Sequence, residues 1–109
     1  MSSADTAADP APVFAALGDP TRLSLLTMLS DGERRSIAAL SAGSRLTRQA
    51  VTKHLQVLEQ AGLVRSSRDG RERNYAFRPE IVAGARTWLD QVSARWDEAL
   101  GRLRAFVED

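Results

Sequence analysis

Residues 47–64 read TRQAVTKHLQVLEQAGLV, and the order of residue types in this stretch decides the fold. Thr47 is of a type that caps helix N-termini, and Ala50, Val51, Leu55 and Leu58 then recur on one side until Ala61-Gly62 ends the pattern. The spacing predicts a helix with one apolar face. The other face carries Arg48, Gln49, Thr52, Lys53 and Gln56, side chains that are long or polar and able to donate and accept hydrogen bonds. It is a face suited to a groove.

Working upstream, Ser36 to Ser41 reads as a short helix, and Ala42-Gly43-Ser44-Arg45-Leu46 as the turn joining it to the helix at Thr47. Gly43 is assigned the backbone freedom that a tight interhelical turn needs. Before this pair lies another helix, with Asp19 as its cap, Pro20 in its first turn and Asp31-Gly32 at its end. Leu23, Leu26 and Leu29 are expected on its core side, with Leu25 and Met28 widening the stripe, while Arg22 is expected to reach a carboxylate or water. The first apolar segment, Val13 to Leu17, stops at Gly18-Asp19-Pro20.

Downstream, Leu63 to Arg68 and Arg71 to Phe77 read as two strands separated by Asp69-Gly70, the signature of a two-residue type I′ hairpin. Arg68, Arg71 and Arg73 fall at the hairpin tip, and Tyr75 and Phe77 alternate toward the core. From Pro79 a helical period returns, with Ile81, Ala85, Trp88, Val92, Trp96, Ala99, Leu103 and Phe106 forming a heptad-like stripe interrupted once between Trp88 and Trp96. A helix over 79–108 is too long for so small a domain to cover, so a second subunit is expected on its stripe. The fold class is therefore mainly α with a small β-hairpin: a winged helix-turn-helix. A tail over 1–10 is expected to be disordered, and 11–109 to form one DNA-binding domain that includes the dimerisation helix.

Composition narrows the function. A chain of 109 residues holds one modest core, and its charge is uneven: residues 32–78 carry ten arginines and lysines against four acids, whereas both flanks are acidic. A basic centre between acidic ends is expected where the centre meets a polyanion. With no cysteine there is no disulfide, thiolate nucleophile or thiolate metal site, and MSSADTAADP has neither the basic start nor the apolar run of a signal peptide. No stretch approaches a membrane span, so the expected location is the cytoplasm.

Three segments, LGDPTRLSLLTML at 17–29, TRQAVTKHLQVLEQAGLV at 47–64 and DGRERNYAF at 69–77, together resemble the ArsR/SmtB family of bacterial repressors in order and spacing. The resemblance covers about Val13 to Phe77. It implies a homodimeric winged helix-turn-helix whose first and last helices pair the subunits, and which represses by binding an inverted repeat over a promoter until a signal releases it. The cysteine cluster of the family's arsenic sensors is absent, since its stretch here is Arg35-Ser-Ile-Ala-Ala-Leu40. Residues 79–109 also lack the histidines of its zinc sensors. The chain therefore looks like the branch without metal sites. No metal and no cofactor is expected, and the residues leave open whether a small-molecule effector exists and what it is.

The N-terminal residues of the second helix in a helix-turn-helix approach base edges, which here are Thr47, Arg48, Gln49, Thr52 and Lys53. Arg45, Gln56, Arg68, Arg71 and Arg73 are placed for phosphates, or for the minor groove at the hairpin tip. Val13, Phe14, Leu17, Trp88, Val92, Trp96 and Leu103 are assigned to the dimer interface. His54, beside Leu55 and a turn from Val51 and Leu58, reads as a partly buried, hydrogen-bonded histidine rather than a ligand. Trp88 and Trp96 read as packing residues rather than as walls of an effector pocket.

The main alternative is a winged-helix module that docks proteins without sequence-specific DNA binding; it has no use for Arg48, Lys53, Arg71 and Arg73 on one side, which favours DNA. No nucleophile beside a base, no glycine-rich phosphate loop and no metal set is present, so an enzyme is not expected.

Overall fold

A computed structural model describes residues 9–108. Five helices and a small sheet follow in the order α1 (Ala11–Leu17), α2 (Pro20–Leu29), β1 (Arg35–Ser36), α3 (Ile37–Ala42), α4 (Arg48–Gln60), β2 (Val64–Asp69), β3 (Glu72–Phe77) and α5 (Pro79–Glu108). The sheet is antiparallel in the order β1-β3-β2. Residues 1–8 of the expected tail lie outside the described residues, while Asp9 and Pro10 lead directly into α1. There the Asp9 carboxylate accepts from the Ala11 N–H at 3.0 Å, and the Pro10 carbonyl accepts from Val13 and Phe14.

The core lies between α2, α3, α4 and the inner face of the sheet. Leu25, Leu29, Leu40, Val51, Leu55, Leu58, Leu63, Val64 and Tyr75 are fully buried there, and Ala85 of α5 closes one side. At such positions truncating a leucine to alanine costs about 2–5 kcal/mol, so these residues set most of the stability.

Several local expectations change. Leu23 is 47% exposed. The buried side of α2 runs instead through Leu25, Leu26 and Leu29, because the helix turns its 25–29 edge, not its 23–26 edge, toward α4. Arg22 finds neither a carboxylate nor only water: its Nε donates to the Ala16 carbonyl at 2.6 Å and Nη2 to Ala15 at 3.3 Å, capping the end of α1. Val13 is buried in the protomer's own core and so is not free to meet a partner; Phe14 and Leu17 are only partly buried.

The hairpin is closed by an Asp69–Glu72 pair, so its two loop residues are Gly70 and Arg71 rather than Asp69 and Gly70. Gly70 has φ 66° and no other residue type among those described has positive φ, which gives the sign pattern of a type II′ turn, not type I′. A type I′ turn would need positive φ at Arg71 as well, which an L side chain with a Cβ resists.

The long last helix is present at 30 residues, about 45 Å at 1.5 Å per residue. It gives the chain extents of 68 × 36 × 21 Å and a radius of gyration of 18.4 Å, against about 13 Å for a compact domain of this size. No helix among the described residues is long and apolar enough to cross a membrane.

Candidate nucleic-acid interface

The interface is built on α3 and α4, and hydroxyl side chains fix both. The Ser36 Oγ accepts from the Ala39 N–H at 3.0 Å and the Thr47 Oγ1 from the Ala50 N–H at 3.1 Å, satisfying one free donor at the start of each helix. Between the helices, the Ser41 Oγ donates to the Leu46 carbonyl at 2.7 Å and the Ser44 Oγ to the Ser41 carbonyl at 3.2 Å. Sequence reading missed these serines as determinants of the turn. The signal available was their type, since Ser in a short interhelical segment is placed to bond its own backbone.

Gly43 is needed less than its position suggests. Its φ is −83°, which any residue adopts, and a Cβ there would crowd only the terminal methyl of Met28, at 2.6 Å, the carbonyls of Ala39 and Leu40 lying at 3.5 and 3.9 Å. At the far end of α4, glycine is required. Gly62 has φ 82°, its N–H bonds to the Glu59 carbonyl at 2.9 Å, and the Leu63 N–H bonds to the Leu58 carbonyl at 2.9 Å. This is a Schellman ending, and it turns the chain directly into β2.

On α4, Arg48, Gln49, Lys53 and Gln56 are exposed, as are Thr47 and Arg45 just before it. Thr52 is half-buried, and its hydroxyl donates to the Arg48 carbonyl at 2.8 Å, so it offers outward only its methyl and an acceptor. His54 is partly buried as expected, but its side chain makes no hydrogen bond within the described residues. Its Nδ1 lies 3.9 Å from Asp19, whose carboxylate accepts from the Arg22 N–H at 2.9 Å to cap α2. That N–H bond, with the Arg22 and His54 charges, holds the Asp19 carboxyl below its ordinary range.

The wing carries its charge by face. Arg68 stands directly opposite Arg73 on the same side of the hairpin as Tyr75, and Asp69 opposite Glu72 on the other side. Two arginines facing each other across a ladder repel. β1, a strand with no counterpart in the sequence reading, pairs Arg35 with Tyr75 and Ser36 with Asn74, and so anchors the start of α3 beside the wing. The result is a hollow in which Arg48 and Thr52 of α4 meet Arg71, Glu72 and Arg73 of the wing across Ser36, Ile37 and Ala38. Arg45 lies instead in a separate hollow with Pro20, Thr21 and Ser24, and Arg68 lines neither.

Among the described residues the ion pairs are Arg35–Asp31, Arg78–Glu80 and the longer His54–Asp19 contact. None engages Arg45, Arg48, Lys53, Arg68, Arg71 or Arg73.

A family model described as a helix-turn-helix domain matches residues 17–67. The HTH-type transcriptional regulator YuzN of Bacillus subtilis is 42% identical over 85 residues, spanning 72% of this chain and 92% of that protein. Among solved structures, an ArsR-like transcriptional regulator from Rhodococcus sp. RHA1 superposes with a TM-score of 0.79 at 38% identity, covering 94% of this chain and 95% of its own. A winged helix-turn-helix DNA-binding domain from Mycobacterium bovis, described as homodimeric, gives 0.63 at 29% identity over 78% of this chain and 77% of its own. With its helix-turn-helix, its wing and this extent of likeness, the chain belongs to the ArsR family of winged helix-turn-helix transcriptional regulators.

Proposed function

We propose that the protein acts as a homodimer that binds duplex DNA at an inverted repeat, α4 entering the major groove and the wing meeting the adjacent backbone or minor groove, and that it represses by covering promoter DNA. The observation that carries this reading is the set of six cations on α4, its approach and the wing, all without acidic partners among the described residues, two of them opposed across the hairpin. A folded domain gains nothing from such repulsion. A phosphate between the arginines reverses its sign.

The base-reading positions are Thr47, Arg48, Gln49, Thr52 and Lys53. Arg45, Gln56, Arg68, Arg71 and Arg73 take phosphates. Phe14, Leu17, Trp88, Val92, Trp96 and Leu103 serve the dimer, with Val13 supporting them from within the core. Because the dimer is two-fold, the half-sites lie about one helical turn apart, roughly 34–36 Å, or a multiple of it.

The test is binding of the purified protein to DNA from its own upstream region and to random duplex at one stated salt concentration. Specific binding tighter by about 10³-fold or more supports the reading, and equal affinities overturn it. In the same assay, replacing Arg71 and Arg73 by Ala should weaken both DNAs alike and lower the salt slope by about one unit for each phosphate no longer neutralised.

A further inference from the structure

The hollow between α4 and the wing has a volume of about 360 Å³ and is lined by three arginines, Arg48, Arg71 and Arg73, and by a single acid, Glu72. An acid in such company repels the phosphates that the arginines attract, so it weakens affinity for every duplex. Glu72 is exposed, and it takes part in none of the ion pairs among the described residues. Its carboxylate is uncommitted in the free protein.

The hairpin ladder leaves Glu72 without a cation of its own. Asp69 stands directly opposite, and Ser67 and Asn74 come next on that side of the hairpin. Arg65, the first cation on it, is level with Ala76, four residues or about 13 Å along. Arg73 leaves the strand on the other side, where it opposes Arg68. Arg48 is the one cation that a different element brings to the hollow.

Arg48 in turn lacks an acid. It is the first residue of α4, where free N–H groups make the end of the helix positive, and no acid occupies that first turn. Its chemistry also needs aiming. A guanidinium presents five N–H donors in a rigid fork, of which guanine O6 and N7 take two. Where no guanine is offered, the same fork takes a phosphate, bidentately and without regard to sequence.

We infer that Glu72 is the positioning residue for Arg48: on specific DNA its carboxylate accepts guanidinium donors that guanine leaves free, and on other DNA its charge keeps phosphate away from that fork. This rests on the base-reading proposed for Arg48 and adds what aims the side chain. One carboxylate acts in both directions, strengthening the right contact and penalising the wrong one. The wing, whose arginines suit any duplex, thereby gains a share in specificity.

The experiment compares Glu72→Gln with the unaltered protein on duplex from its own upstream region and on random duplex, at one salt concentration. Glu72 is exposed and opposes Asp69, so the substitution relieves a like-charge pair and leaves folding intact. Affinity for the specific site should fall about tenfold, and affinity for random duplex should rise about threefold. Base preference should relax at the one position in each half-site that Arg48 reads. Loss of a charge alone tightens both complexes, and damage to the wing weakens both. Either result would overturn the inference.

Arg48→Ala supplies the second arm. In that background Glu72→Gln should no longer weaken specific binding, and a persisting loss would overturn the inference by showing that Glu72 acts on another group. If Arg48→Ala itself leaves base preference unchanged, the base-reading falls and the positioning role with it. If Arg48→Ala relaxes the preference and Glu72→Gln does not, only the positioning role falls.

Discussion

Arg68 and Arg73, the pair proposed to take phosphates, set a functional role against stability at the scale of two side chains. They face each other on the ladder with no acid among the described ion pairs to separate them. Replacing Arg68 by Gln should therefore stabilise the free protein, by roughly 0.2–1 kcal/mol for a cross-strand pair of like charge, while weakening its binding to any DNA. Thermal unfolding and binding of the same variant check both halves. A variant that loses stability would show that the two guanidinium groups are not repelling in the free state.

Glycines and serines decide how the elements join. Gly62 and Gly43 both sit at helix ends, yet only Gly62 has a positive φ, so Gly62→Ala should cost about 1 kcal/mol or more and Gly43→Ala should stay within about 0.5 kcal/mol. Denaturant unfolding of the two variants makes the comparison, and equal losses would contradict it. The elements with a long period or a strong cap were legible in the sequence: α4 from its apolar spacing and Thr47, α5 from its stripe, the wing from its alternation. What escaped reading lacks a local signature. β1 is two residues long and exists only because β3 is there to pair with it. The turn shifted by one residue because Gly70 can serve as the first loop position as readily as the second. Leu23 faces out and Val13 in because tertiary packing, not spacing alone, chose the buried edge of their helices. The residues of α4 proposed to read DNA were legible as a polar face, but the meeting of Arg48 and Thr52 with Arg71 and Arg73 in one hollow depends on β1 and so on pairing between segments distant in sequence.

On the scale of the whole molecule, DNA-binding elements lie at one part of the chain and an uncovered helix extends from another, the division of labour expected of a symmetric regulator. With no cysteine and one histidine, the chain cannot offer zinc, arsenite or cadmium the three or four soft or borderline ligands they normally take, and DNA affinity should be unchanged when each is added at one equivalent per subunit. A submicromolar site by calorimetry, with a change in DNA binding, would contradict this. The central claim, that α4 reads bases, is tested most directly by measuring Arg48→Ala against the unaltered protein on specific and random DNA at the same salt concentration. The geometry predicts a loss of roughly 1–3 kcal/mol on the specific site, a relaxed preference at one position in each half-site and a smaller loss on random DNA. Full affinity with unchanged base preference would mean that a different face of α4 meets the groove.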